Sequence, residues 1–567
     1  MINTNQIDPF QEGFSAKKNT IRYLNRLHLS ICADIELNLT SIGLFIDFEK
    51  AFDSVWKKGL IVKLHQLGVQ GNIARLINNF LISREIKLNV NGHLGQNRQT
   101  LEYGLPQGSV ISPLLFKIFV QDFVSELSEN PNITLLKFAD DGTIKVNAED
   151  SVTCVNHLNS VLESLHKWSR KWRLKINCDK NKTEIICFNC AEGDKTIISN
   201  NFKLGNKEIQ RVPETKVLGL IIDENLSYKP HSEALFKSLL GRWATICKFS
   251  NRYWGFNTTV MLHLFKALFL SKFSYAGHIW YTKENSVDIN QLFYRILKAI
   301  TGAVLNIDHN IAELILGIPP LSVQTKIHSI KHFLKINSTP VSNDVYKTFL
   351  NHSYDESTKS PSVIHSKLKE VYDFLVWKEK LYPQHFTNED RNISLNRKYK
   401  DFSQLSEKCC YYTRNMINKF TQEIWSRSSQ NKFQLKGYPT TPIIKCSPIA
   451  IPKNTPRETE VKVISLFYKN NLLNQSLWNI DRAPSPLCPY CNSEEETSDH
   501  LLFRCPFVDE RLRMQMNDVY QSSLKLCEFK TEPEYFIGLL SVCHVDKFIK
   551  ACIDIVNCLN IKVHVVL

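Results

Sequence analysis

Two kinds of apolar spacing share the first 230 residues. Strand-length apolar runs appear in SIGLFIDF (41–48), EIKLNVNG (85–92), TEIICF (183–188) and KVLGLIID (216–223). Between them, GLIVKLHQLG (59–68) and IARLINNFLI (73–82) space their apolar residues for helices. The longest stripe lies in SVTCVNHLNSVLESLHKWSRKW (151–172). There Val155, Leu158, Val161, Leu162, Leu165, Trp168 and Trp172 recur every three or four positions, which predicts an amphipathic helix with a basic outer side. ITLLKFADDGTIKV (133–146) reads as a hairpin, with Leu135, Leu136 and Phe138 on one arm and Ile144 and Val146 on the other. Asp140-Asp141-Gly142 would supply its tight turn. Strands interleaved with helices predict an α+β domain over residues 1–230.

Residues 231–330 are almost wholly helical in pattern. Their most apolar stretch, VMLHLFKALFL (260–270), is interrupted by His263 and Lys266 and reads as an amphipathic helix, so no membrane partner is expected. Residues 331–456 are polar and aromatic, and their prolines, ending at Pro456, mark a connector. Residues 457–567 form a last helical module with clustered cysteines. A chain of 567 residues exceeds one core, which agrees with several domains.

A hydrophobic share of 43% excludes a disordered chain. Lys and Arg exceed Asp and Glu by 70 − 56 = 14, which suits a polyanionic partner. MINTNQIDPFQEGF lacks the basic-then-apolar order of a signal peptide. The sixteen cysteines are mostly scattered, as in a reduced intracellular protein of nucleus or cytoplasm.

Turn chemistry alone explains an Asp-Gly at a hairpin tip. A second acidic strand end changes the picture: GLFIDFEKAFDSV (43–55) delivers Asp47 at the end of an apolar run. Asp47 beside Asp140 and Asp141 would crowd three carboxylates, which resist joint ionisation unless a hard cation neutralises them. Mg²⁺ is the natural ion, because it takes a few carboxylates together with substrate phosphates. Between the acidic ends lies GLPQGSVISPLLF (104–116), in which Gly104 and Gly108 permit close backbone approach and Gln107 offers an amide. A different chemistry closes the chain. LCPYCNSEEETSDHLLFRCPF (487–507) spaces Cys488, Cys491, His500 and Cys505 as four ligands for a closed tetrahedral zinc site, with the acidic loop between them solvated. Cys187 and Cys190 have no second pair nearby and read as ordinary core or surface thiols.

FIDFEKAFD, GLPQGS with SPLLF, and FADD, in this order, resemble motifs A, B and C of the reverse transcriptases of non-LTR (LINE-type) retrotransposons, the Jockey-like group in particular. INCDKNKTEIICF (176–188) is similar to motif D and KVLGLIIDENLSYKPH (216–231) to the primer-grip region. The resemblance implies a right-hand polymerase: partial fingers and palm over 1–230, a helical thumb over 231–330, then a mainly helical region with a small zinc-binding module. It implies an RNA-directed DNA polymerase that extends a primer on an RNA template with dNTPs. Asp47, Asp140 and Asp141 would hold two Mg²⁺ (or Mn²⁺), Phe52 would gate the sugar, and Gln107 with Gly108 would meet the nucleotide or template. Lys182 would protonate the departing pyrophosphate. The cysteine cluster, with Arg504, Arg511, Arg513 and Lys525 around it, would touch nucleic acid.

Two departures stand against this pattern. A longer fingers region precedes QEGFSAKKNT (11–20) in such proteins, so the chain reads as N-terminally truncated, and Ser15 stands where a triphosphate-gripping arginine is usual. Lys17, Lys18 and Arg22 are the basic candidates for that role. The endonuclease of such elements is expected elsewhere, and no ribonuclease H domain is expected in 338–460. The alternative is a catalytically impaired nucleic-acid-binding remnant.

Overall fold

The computed structural model describes residues between 10 and 337, 419 and 425, 451 and 527, and 545 and 559, apart from short breaks. The connector, most of 331–456, lies outside the described residues. Residues up to His231 form one compact unit, and the described residues from Ser232 onward form a second.

The first unit is built on β1 (Thr40–Ile46), β2 (Ile133–Phe138), β3 (Asp141–Ala148), β4 (Glu184–Phe188), β5 (Phe202–Leu204) and β6 (Lys207–Arg211). They form one sheet in the order β2-β3-β1-β4-β6-β5, antiparallel except for β4 with β6. Every residue of β1 is buried, as a central strand covered on both faces requires. The 151–172 stripe forms a helix of those limits, which buries Leu158, Val161, Leu162, Leu165, Trp168 and Trp172. Asp150 caps its start by accepting the Thr153 N–H at 2.8 Å.

A helix that the apolar pattern does not announce, Thr20–Glu36, also packs on this sheet. Its buried positions include Arg22, Asn25, His28 and Asp34, so polar partners replace part of the apolar stripe. Asp34 is ion-paired with buried Lys145 and accepts Asn147 Nδ2 at 2.6 Å. Two expected strands are divided. Residues 85–92 give two-residue strands, Glu85–Ile86 pairing Gln99–Thr100 and Asn89–Val90 pairing His93–Leu94. Residues 216–223 fold back on themselves as Glu214–Val217 and Leu220–Asp223, because Leu218 and Gly219 take positive φ (45° and 90°) and turn the chain.

The second unit contains helices Thr258–Phe265, Val287–Thr301, His309–Leu316 and Leu321–Asn337. Residues 260–270 are helical as expected, but the last turn, Lys266–Leu270, is a π segment. Helix Arg457–Ser465 packs within this unit. Arg457 donates to Ile300 O and to Glu460 Oε2, both at 2.8 Å, and Glu460 accepts the Thr258 N–H at 3.0 Å. Read from the sequence, residues 457–567 stand apart behind a proline-rich connector. In the structure their first helix is tied to residues 258–300 by a buried, fully paired charge network. Among the described residues no helix is long and apolar enough to cross a membrane.

Candidate active site

Strand register builds the acidic centre. Ile46, the last residue of β1, lies opposite Gly142 of β3, so Asp47 leaves the sheet beside Asp141. The β2–β3 pairing closes at Phe138 with Asp141, leaving Ala139 and Asp140 as a two-residue loop. This corrects the expected turn. Gly142 is a buried strand residue against Ile46 and Phe123, and the left-handed position is Ala139, with φ of 55°. Burial, then the charges of Asp140 and Asp47, push the Asp141 carboxyl up to about 6. The donors are hard carboxylate oxygens gathered at one end of the sheet, the type of ligand that divalent cations take.

Asn177 and Thr183 hold Asp47. Its N–H donates to Thr183 Oγ1 at 3.2 Å, its carbonyl accepts the Asn177 N–H at 2.8 Å, and its Oδ2 accepts Asn177 Nδ2 at 3.4 Å. Lys182 Nζ lies 3.6 Å from the same Oδ2, half-exposed. The 176–188 stretch therefore reaches the first acidic position, and Asn177 and Thr183 are site neighbours that only the fold brings into view.

The glycine loop clasps the turn after Asp47. Gly104 N–H donates to Val55 O at 2.9 Å, and Leu105 N–H to Phe52 O at 2.8 Å. Gly104 has φ of 88°, and a Cβ there would lie 2.8 Å from Asp53 O. Gln107 is exposed, and its Nε2 donates to both carboxylate oxygens of Asp53 at 3.1 and 3.2 Å. Gly108 is exposed with φ of 85°. Phe52 is stacked on Phe116 with ring centroids 4.6 Å apart and 18° between planes.

The sequence family described as reverse transcriptase (RNA-dependent DNA polymerase) matches residues 1–222. The match covers less than half of the chain and includes every acidic and glycine-loop residue described above. The chain is 23% identical over 347 residues to the RNA-directed DNA polymerase from mobile element jockey of Drosophila melanogaster, covering 59% of this chain and 37% of the relative. It is 28% identical over 244 residues to the Drosophila funebris protein of the same description, covering 42% and 26%. A Pol polyprotein from the type-1 retrotransposable element R1 of Bradysia coprophila is 23% identical over 346 residues, covering 60% and 33%. The chain thus spans about a third of the length of these relatives.

Of the basic candidates for gripping a triphosphate, Arg22 and Lys18 are otherwise engaged. Arg22 is buried with its Nε 3.3 Å from buried Glu12, which also pairs with Arg26 at 2.7 Å. Lys18 Nζ donates to Gln11 O at 2.9 Å, and burial draws it down to about 8. Lys17 lies outside the described residues.

Far along the chain, Cys488, Cys491, His500 and Cys505 converge, with their ligand atoms all within 4.8 Å of one another. A small hairpin presents the first two, Cys488 N–H donating to Glu494 O and Asn492 N–H to Cys488 O, both at 2.8 Å. A π turn over His500–Arg504 presents the other two. Three sulfurs and one imidazole can hold a metal ion. His500 Nδ1 lies 3.1 Å from Glu494 Oε2, which leaves Nε2 facing Cys491 Sγ at 3.3 Å. A carboxylate behind a ligating imidazole fixes its tautomer. The loop between the ligand pairs is therefore not simply solvated: Glu494 serves His500, and buried Glu496 accepts the Asn474 N–H at 2.6 Å. Arg504 is paired with Glu494 and Asp499, at 3.3 and 2.8 Å.

Proposed function

We propose that this chain is an RNA-directed DNA polymerase of a LINE-type retrotransposon, adding dNTPs to a primer 3′-hydroxyl on an RNA template. The observation that carries the reading is the convergence of Asp47, Asp140 and Asp141 at one end of the central sheet, in a domain of the reverse transcriptase family. In this reading residues 1–230 supply fingers and palm, and 231–330 the thumb. The three carboxylates would hold Mg²⁺ or Mn²⁺, which would supply neutralisation of phosphate charge at the reacting phosphoryl group. Asn177 and Thr183 keep Asp47 in place. Phe52, braced by Phe116, presents a flat ring against which a 2′-hydroxyl would clash. Gln107 and Gly108 meet the incoming nucleotide or template. Lys182, as an ammonium beside Asp47, donates a proton to the leaving pyrophosphate. Cys488, Cys491, His500 and Cys505 bind one structural zinc.

The test is primer extension by the full chain on poly(rA)/oligo(dT) with Mg²⁺ and dTTP. Extension that Asp140→Asn abolishes is expected. Incorporation by the wild type no greater than by that variant would overturn the reading.

A further inference from the structure

Gln11 lies outside motifs A to D, yet it is fully buried against the carboxylate hairpin. Its Oε1 accepts the Ala139 N–H at 2.8 Å, and its Nε2 donates to Ala139 O at 3.2 Å. The side-chain amide thus pairs with both peptide groups of the residue immediately before Asp140. Ala139 holds φ of 55°, a conformation disfavoured for any residue with a Cβ. We propose that Gln11 is a positioning residue, whose amide holds Ala139 in this conformation and so sets Asp140 and Asp141 relative to Asp47.

Several features serve this one contact. Main chain on either side of Gln11 is laid along β2, with Glu12 N–H donating to Lys137 O at 2.7 Å and Lys137 N–H to Phe10 O at 3.3 Å. Gly13 N–H donates to Gln11 Oε1 at 2.9 Å, which fixes the amide plane. A Cβ on Gly13 would lie 2.4 Å from Ala139 N, so only glycine lets the segment approach this closely. Ser15 Oγ and Lys18 Nζ both donate to Gln11 O, at 3.0 and 2.9 Å. Glutamine suits the task because one planar group carries a donor and an acceptor. Glutamate would lose the donor and add a fourth negative charge, and asparagine is one methylene short.

The proposal rests on the polymerase reading. Its test compares wild type, Gln11→Leu, Gln11→Glu, and Gln11→Leu combined with Ala139→Gly, all in the full chain. Mn²⁺ binding is followed by electron paramagnetic resonance without nucleotide, and single-nucleotide addition with Mg²⁺ separately. Gln11→Leu is expected to weaken Mn²⁺ binding about tenfold, as losing a group that supports metal ligands does. It is expected to lower kcat about 10²-fold while KM for dTTP changes little, the signature of a misplaced reacting group. Glycine at 139 adopts positive φ unaided and is expected to restore most of both losses, which a merely structural role for Gln11 would not allow. Should Gln11→Leu not fold, Gln11→Glu, which keeps the acceptor and the shape, carries the same comparison. An active wild type matched by both Gln11 variants, or no restoration by glycine, overturns this role alone. A wild type that neither binds Mn²⁺ nor extends a primer overturns the polymerase reading and this role with it.

Discussion

Asp141 illustrates how far single residues decide this site. Its carboxyl is raised by burial and by two neighbouring carboxylates, so the three acidic groups repel one another. Asp140→Asn removes one of those charges without changing shape. Polymerisation should fall by at least about 10³-fold, beyond the 10–100-fold usual for groups that only support a ligand. The thermal midpoint without metal should hold or rise. Near-wild-type extension by this variant would remove Asp140 from the metal site. Phe52 offers a second residue-level test. Phe52→Val should relax discrimination between dNTP and rNTP by about 10–10²-fold, the scale on which a few methyl-sized groups sort substrates. Because Phe52 also stacks on Phe116, the same change should cost about 1–3 kcal/mol of stability. Unchanged sugar preference in matched single-nucleotide assays, with that stability loss present, would assign Phe52 to packing alone.

At the scale of elements, the acidic strand ends were legible because β-prone runs stop abruptly at Asp47 and Asp140. The position of the turn was legible only to within a residue. Asp-Gly is the stronger local turn signal, but the left-handed residue is Ala139, which is bonded to Gln11, 128 positions away. Nothing local could have revealed that. Helix Thr20–Glu36 escaped for a similar reason: Glu12 and Lys145 partner its buried Arg22 and Asp34, which breaks the apolar stripe. The glycine loop, by contrast, means what its composition says. Gly104 and Gly108 both hold positive φ, but only Gly104 faces backbone, that of Asp53. Gly108→Ala should cost about 1–2 kcal/mol, the strain of a left-handed alanine. Gly104→Ala adds a clash that neither backbone can relieve, and should cost about 2–4 kcal/mol in urea denaturation. Equal costs at the two positions would show that the clasp onto Asp53 yields, and that the loop does not brace the turn after Asp47.

Across the whole molecule, the sequence marks where helices lie better than it marks which helices cohere. Pro456 reads as the end of a connector, yet Arg457 and Glu460 beside it are buried against residues 258–300 and satisfy each other there. A fragment cut at 457 would expose that network, so the zinc proposal is best tested on the full chain. Its four ligands leave no open coordination position, which makes a hydrolytic role unlooked-for and a folding role the expectation. Removing the ion would leave the Cys488–Cys491 hairpin and the turn that starts at His500 without the ligand bonds that draw them together. Helix Arg457–Ser465 would keep its partners in the 258–300 region, and residues 1–231 form a unit of their own. One equivalent of zinc per chain is expected by elemental analysis, falling below half in a Cys488→Ser/Cys491→Ser variant. Chelation should raise hydrogen exchange about 473–527 by several orders of magnitude, as expected of local unfolding. Exchange within β1, β3 and β4 should stay as it was. Equal zinc in the variant, or protection about His500 that survives chelation, would show that the cluster folds as free thiols and needs no metal.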